Sequence, residues 1–420
     1  MSSTSGTVPT TGVPRRGNMP NHYAKDCMSP QRNGPVPGLD KKRSFLLGIA
    51  LTIAVTAAHA DIHIGVTLST TGPGASLGIP AEQALKMWPA EMAGEKVRFT
   101  ILNDGTDSTT ATRNAQRLIT EDKVDIIIGS SVTPPSLAVV ETAGAALVPV
   151  ISLAGGGAIV LPQDGPRKWA FKLSPTEPIS AGMVLDHLAR AKGRTIATIG
   201  FANSYGEGFL KAVEALAPAR GIKVVASERY NPTDQSIAAQ VLKIVATQPD
   251  AVYILASGTP GALPQLELAN RGYKGLVYQT QGVANGDYLR VGGKAVEGAF
   301  MTVAPVLVAE QLPDANPVKK AAVDFVQRFE KANGAGSRSL FAATAWDALL
   351  IVQQAAREAL KKARPGTPEF RAALRDAIEG LRDFVGSEGV YNMSDKDHNG
   401  VDARSQVMVK IENGGWKLQP

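Results

Sequence analysis

The chain has 420 residues, 44% of them hydrophobic, with a formal net charge of +6. Of its 44 basic and 38 acidic side chains, seven and two fall in residues 1–60, leaving 37 against 36 in Asp61–Pro420. A near-neutral body of that length excludes an electrostatic nucleic-acid or membrane-surface binder and suggests two domains.

Residues 1–40 are rich in Gly, Pro, Ser and Thr without a hydrophobic pattern and read as a disordered leader. Lys41-Lys42-Arg43, the apolar run Ser44 to Ala58, and Ala58-His59-Ala60 before Asp61 have the charged, apolar and small-residue regions of a secretory signal peptide. The run is shorter than the ~20 apolar residues of a membrane span. Cleavage is expected after Ala60, with release into the periplasm; the alternative is an uncleaved anchor. Signal peptides begin chains, so translation is expected to start later than Met1, near Met28 or just before Lys41. The single cysteine, Cys27, lies in the leader, so the exported chain can form no disulfide and no thiolate metal site.

From Ile62 onward, short β-branched runs alternate with helical patterns. Strands are expected at Ile62–Leu68, Val97–Leu102, Val124–Ile128 and Val148–Ile151. Helices are expected at Gly78–Met92 (broken or kinked by Pro89), Thr109–Thr120 and Leu137–Ala146. The strands are apolar on both faces, as a parallel sheet between helix layers requires. A second series follows: helix Ile179–Ala191, strand Thr195–Phe201, helix Gly206–Ala217, strand Lys223–Arg229, helix Ile237–Thr247, strand Ala251–Leu255, helix Leu263–Arg271 and strand Leu276–Gln279. After strand Phe300–Val303 come helices Val318–Ala332, Phe341–Lys361 and Pro368–Gly380 without strands of their own. Gly389–Tyr391 and Gln406–Ile411 read as a closing hairpin.

The expected fold class is α/β: two doubly wound parallel-sheet lobes joined by three hinge crossings, near 174–179, 303–306 and 385–389. Lobe 1 takes 61–176 and 305–386, because the late helices need a sheet to cover; lobe 2 takes 177–304 and 387–420. A cleft between such lobes can close on a ligand.

Gly74-Ala75-Ser76-Leu77-Gly78 matches the G-x-S-x-G of serine hydrolases, which needs Ser on a strand-to-helix elbow with a histidine and an acid. A loop, Ser69–Pro73, separates it from the strand, and only His63, His187 and His398 follow the leader, so a Gly-rich helix start is favoured over a nucleophile at Ser76. Asp395-Lys396-Asp397-His398-Asn399-Gly400 begins like an EF-hand loop, but position twelve is Gln406 and helices do not flank it; a polar turn is favoured and no metal is expected. Neither a dinucleotide fingerprint nor a P-loop occurs, so no cofactor is expected. Gly129-Ser130-Ser131-Val132-Thr133-Pro134-Pro135 joins a strand to a helix, with Thr133 suited to the cap and Pro134 to the first helical position. Its hydroxyls and free N–H groups can hold an anion at a positive helix end, or simply cap the helix. Ser152–Gly157 lies after the next strand, and its glycines permit close approach of a ligand.

Thr71-Gly72-Pro73 with Gly78, Ile127–Ser131, Val148–Ser152, Tyr205-Gly206-Glu207-Gly208, Gly292–Gly298 and Lys410–Leu418, in that order, resemble the type I periplasmic binding proteins of the leucine/isoleucine/valine-binding group. The resemblance runs from Ile62 to Leu418. It implies a monomeric solute receptor, not an enzyme, that hands a small-molecule ligand to an inner-membrane ABC permease. It further implies that the ligand carboxylate is held by Ser130, Ser131 and Thr133 and by Ala154, Gly155 and Gly156. Leu77 would touch the ligand body, and Tyr205 and Ser257–Thr259 would close from the second lobe. Two departures matter. Gly156 stands where amino-acid receptors usually carry Thr. Gln281 stands near the acid that usually faces the ligand ammonium, with Asp287 and Glu207 as possible substitutes. A buried ammonium without a carboxylate is costly. An aromatic or other organic acid without an α-amino group is therefore expected, with Gln281 bonding a neutral hydroxyl or carbonyl; an amino acid is the alternative, as is a ligand-sensing domain.

Overall fold

A computed structural model describes residues 61–420, so the leader and the signal-peptide reading at 41–60 lie outside the described residues. Among the described residues the chain forms, in order, β1 (Ile62–Leu68), α1 (Ala75–Lys86), β2 (Glu91–Met92), β3 (Glu95–Asn103), α2 (Ser108–Thr120), β4 (Ile126–Gly129), α3 (Thr133–Ala145), β5 (Val150–Ser152) and β6 (Ala170–Lys172). These strands make a six-stranded sheet in the order β2-β3-β1-β4-β5-β6, parallel except for the short β2 edge. The second series runs α4 (Glu177–Arg190), β7 (Thr195–Phe201), α5 (Ser204–Leu216), β8 (Lys223–Tyr230), α6 (Ala238–Ala246), β9 (Ala251–Leu255), α7 (Ala262–Asn270), β10 (Leu276–Gln279), α8 (Gly286–Gly292) and β11 (Phe300–Val303). After α9 (Lys319–Asn333), α10 (Leu340–Ala359) and α11 (Pro368–Glu379) come a two-stranded ribbon, β12 (Phe384–Val385) with β13 (Val390–Tyr391), and finally β14 (Val407–Glu412) and β15 (Gly415–Leu418). The second sheet has the order β15-β14-β11-β10-β9-β7-β8.

The central strands of each sheet are buried between helix layers, which is why β4 and β9 read as unbroken apolar runs. Ala111, Ala115 and Leu118 of α2 and Val139, Val140 and Ala143 of α3 cover one face of the first sheet. α1 covers the other face together with the late helices, through Phe325, Phe329, Leu349, Val352 and Leu374. In the second sheet α4 and α5 cover one face with Val184, Leu185, Phe209 and Val213, and α6 covers the other with Val241 and Ile244.

Three expectations need correction. The closing hairpin is β14 with β15, and Val390–Tyr391 pairs instead with Phe384–Val385. Asn413 and Gly414 both take positive φ (54° and 69°), the two-residue turn that an Asn-Gly pair favours. The first helix runs Ala75–Lys86, not Gly78–Met92. It ends ahead of Pro89 and holds Pro80 inside, and Glu91–Met92 pairs back on Glu95–Lys96. α3 starts at Thr133 with Val132 as its cap residue, so Thr133 is the first helical residue and its hydroxyl is free for another partner.

Candidate functional site

The carboxyl ends of β1, β4 and β5 present three loops toward the second lobe, the edge where open α/β sheets bind ligands. Their base is a buried polar cluster. Asp104 accepts from Ser69 Oγ at 2.6 Å and from Ser130 Oγ at 2.6 Å, with Thr67 Oγ1 at 3.3 Å and Thr106 N at 3.0 Å. Ser69, Asp104 and Ser130 are fully buried. The Ser130 hydroxyl is thus used inside the lobe. Ser131 Oγ accepts from Ser69 N at 3.3 Å, and Thr133 Oγ1 accepts from Gly156 N at 3.2 Å. Each hydroxyl keeps its proton to donate. Pro134 and Pro135 carry no N–H, so the start of α3 offers fewer backbone donors than a typical helix end, and the two hydroxyls gain in importance.

Gly156 is required by its neighbour: a Cβ there would stand 2.4 Å from Thr133 Cγ2. The threonine usual in amino-acid receptors is therefore incompatible with Thr133 as placed. Ala154 N donates to Ser152 Oγ at 3.2 Å, and Gly157 N donates to Glu177 Oε1 at 2.8 Å, tying the β5 loop to the first residue of α4. Just before it, fully buried Lys172 donates to the carbonyls of Ser174 and of Pro175, the latter at 3.0 Å; burial pushes its ammonium down to about 8, and Glu177 opposes that shift.

From the second lobe, Tyr205 follows the cap Asn203, which accepts from Tyr205 N at 3.0 Å and orients the first turn of α5. Tyr205 Oη donates to Thr280 Oγ1 at 3.0 Å, and burial raises the phenol above its ordinary range. Gln281 Oε1 accepts from Gln406 Nε2 at 2.9 Å. The lobes touch across the cleft: Gly258 has φ +65°, and a Cβ on it would lie 3.0 Å from both Leu77 Cδ1 and Pro73 O.

Two cavities lie along this seam. The inner one, about 20 Å³, is lined by Leu77, Ser131, Thr133, Gly155, Tyr205 and Gln281 together with Ser257, Leu340 and Phe341. The structure thus brings together six of the nine residues expected from the sequence. Ser130, Ala154 and Gly156 stand behind the lining. The outer cavity, about 330 Å³, shares Val132, Thr133, Tyr205 and Ser257 and adds Pro73, Phe201, Pro232 and Thr233. Neither lining includes a charged side chain. Glu207 pairs with Arg229, Nη2 to Oε2 at 3.0 Å, and Asp287 pairs with Arg290 at 2.8 Å, so both candidate substitutes are engaged outside the cavities. Leu340 and Phe341 were not legible as site residues. Ser339, which caps α10 through Phe341 N at 3.2 Å, was the available signal, but nothing local aims that helix at the cleft.

The hydrolase and metal motifs do not assemble. Ser76 Oγ has no hydrogen-bond partner. His63 bonds Thr100 and Arg98, His187 bonds Tyr278, and His398 bonds Ala170 O and Glu379. Asp397 accepts from the N–H groups of Asn399 and Gly400 at 2.9 and 3.0 Å, closing a polar turn. Among the described residues no cluster of His, Cys, Asp and Glu could hold a metal ion, and no helix is long and apolar enough to cross a membrane.

The family described as "Periplasmic binding protein" matches residues 61–415, and the chain belongs to it, in the type I, leucine/isoleucine/valine-binding group. That family consists of substrate-binding proteins, not enzymes, which bind small molecules and work with ABC transporter permeases. A Leu/Ile/Val-binding protein homolog 3 of Brucella melitensis is 27% identical over 270 residues, covering 61% of this chain and 71% of that protein. The crystal structure of an extracellular ligand-binding receptor from Rhodopseudomonas palustris HaA2 superposes with a TM-score of 0.83 at 42% identity, covering 86% of this chain and 100% of that one. An ABC-transporter solute-binding protein from R. palustris BisB5, solved in complex with 3,4-dihydroxybenzoic acid, shares the fold at 22% identity and a TM-score of 0.72, covering 86% and 96%.

Proposed function

We propose that this protein is the periplasmic receptor of an ABC importer for a small carboxylate that lacks an α-ammonium group, an aromatic or other organic acid. The observation that carries this reading is the charge-free lining of both cavities combined with hydroxyl donors, Ser131 and Thr133, at the start of α3. A carboxylate is stabilised by such donors and the helix dipole. An ammonium in the same place meets no charged side chain in either lining and loses its hydration. The relative in complex with 3,4-dihydroxybenzoic acid supports the choice of acid; the relatives named for leucine, isoleucine and valine support the amino-acid alternative. Binding residues in this reading are Leu77, Ser131, Thr133, Gly155, Tyr205 and Gln281, with Ser130, Ala154 and Gly156 supporting them from behind. An inner cavity of about 20 Å³ holds about one water, so a ligand enters by parting the lobes and is enclosed as they close.

The rotating bodies would be 61–176 with 305–386 and 177–304 with the C-terminal segment. The third crossing falls later than 385–389 in this reading, because His398 O accepts from Lys172 N at 3.0 Å and Asn399 Nδ2 donates to Lys172 O at 3.0 Å, holding that turn beside β6. The chain works as a monomer, without cofactor, after removal of residues 1–60. Thermal unfolding of the purified protein with benzoate, 3,4-dihydroxybenzoate or L-leucine tests the ligand class. A ligand at 100 times its Kd adds about 2.7 kcal/mol. Stabilisation by leucine and by neither benzoate overturns the assignment.

A further inference from the structure

The inner cavity carries a hydrogen-bonding polarity that the residue types alone do not define. Gln281 lines it and is 4% exposed, and Gln406, also 4% exposed, stands behind it one residue before β14. A carboxamide has a donor end and an acceptor end. Gln406 Nε2 donates to Gln281 Oε1 at 2.9 Å while Gln406 Oε1 has no partner; in this arrangement the acceptor end of Gln281 is engaged and its NH2 is the group left for a ligand. Behind the same wall, fully buried Thr280 gives its single Oγ1 proton to Ala256 O at 2.6 Å. It therefore accepts from Tyr205 Oη at 3.0 Å, and the Tyr205 oxygen keeps only lone pairs to offer. The second lobe thus presents one N–H donor and one oxygen acceptor. A hydroxyl satisfies both, since it accepts and donates. An ammonium has donors alone and meets the Gln281 NH2 as a like group.

We propose that Gln406 is a positioning residue for specificity: by holding the Gln281 amide with its NH2 toward the cavity, it makes the cleft select a ligand hydroxyl over an ammonium. The proposal rests on the carboxylate-receptor reading above and narrows it to hydroxylated carboxylates.

Calorimetric titration of the full-length protein at pH 8 with 4-hydroxybenzoate, 4-methylbenzoate and 4-(aminomethyl)benzoate reads the selectivity. The native protein should bind the hydroxy compound about tenfold more tightly than the methyl one, the worth of a good neutral hydrogen bond. In Gln406→Met the amide loses its anchor, and that ratio should fall toward one while the affinity for 4-methylbenzoate changes less than about threefold. In Gln406→Glu an ionised carboxylate can only accept, so it turns the Gln281 amide round and offers its oxygen to the ligand. The aminomethyl compound should then gain about tenfold relative to the hydroxy compound. A purely structural role would weaken all three ligands together and reverse nothing. Unchanged ratios in whichever variants fold overturn the proposal. Equal native affinity for hydroxy and methyl compounds overturns it while leaving the carboxylate reading intact. Binding of none of the three overturns that reading and the proposal with it.

Discussion

The two walls of the cleft are built differently. The hydroxyl-bearing part of the lobe 1 wall comes from residues 69–156, with Ser69, Asp104, Ser130, Ser131, Thr133 and Gly156 following β1, β3, β4 and β5 in turn. Its groups are locked by a buried carboxylate that serves three hydroxyls. The lobe 2 wall is gathered from Tyr205, the neighbouring Thr280 and Gln281, and Gln406, segments distant in sequence and joined by neutral hydrogen bonds. A wall held by a buried charge network should fail by losing the fold. A wall held by single neutral bonds should fail by losing selectivity. Binding and stability are thus expected to separate between the lobes.

The largest effect is expected at the centre of the lobe 1 wall. Asp104→Ala leaves the hydroxyls of Ser69 and Ser130 buried without their acceptor. Urea denaturation should show a loss of about 3 kcal/mol, accompanied by loss of ligand binding. Should stability survive while only affinity falls, the contrast between the walls breaks down.

Gly156→Thr restores the residue usual in amino-acid receptors, but its Cβ meets Thr133 Cγ2. The expected cost is about 2 kcal/mol from overpacking, with weaker carboxylate binding. Thr133→Ala in the same chain should recover the stability and leave the binding defect, which denaturation and titration together resolve. Full recovery of both would show that Thr133 is only a packing partner.

The smallest effect is expected at the turn between β12 and β13. Glu388 is buried beside Asp347, which accepts from Ser387 N at 2.8 Å, Glu388 N at 3.0 Å and Tyr391 Oη at 3.0 Å. Burial, with the neighbouring Asp347 charge second, raises the Glu388 carboxyl well above its ordinary value; burial raises Asp347 as well. A raised carboxyl pKa means that the folded chain holds the proton more tightly. Its contribution to stability is complete below the unfolded value, about 4.3, and is lost as pH rises through the folded value. As pH rises above that unfolded value the native protein should therefore lose stability. Glu388→Gln stays neutral and can still accept from Thr344 Oγ1, so its Tm should fall less as pH rises. Parallel curves for the two proteins would show that Glu388 does not titrate differently on folding.

Much of the lobe 1 wall was legible because its signals are local. A strand followed by Gly129-Ser130-Ser131 and two prolines places hydroxyls at a helix start whatever surrounds it. What could not be read was which hydroxyl faces the ligand. Ser130 and Ser131 are adjacent and chemically equal, and only Asp104, from the loop after β3, draws the first one inward. Gln406 gave no sign beyond a failed EF-hand position, because its partner Gln281 is distant in sequence. The closing hairpin turns at Asn413-Gly414, where φ > 0 residues make a tight turn almost obligatory, while the apolar run at Val390–Tyr391 pairs with Phe384–Val385.

The sequence by itself determined the two βαβ series, their apolar central strands and the family, because periodicity and punctuation are local and repeat along the chain. Tertiary structure alone decided the polarity of the site. Hydrogen-bond direction depends on which proton each partner has already given away, and Thr280 with Ala256, Gln281 with Gln406, and Ser130 with Asp104 are paired only by the packing of distant segments.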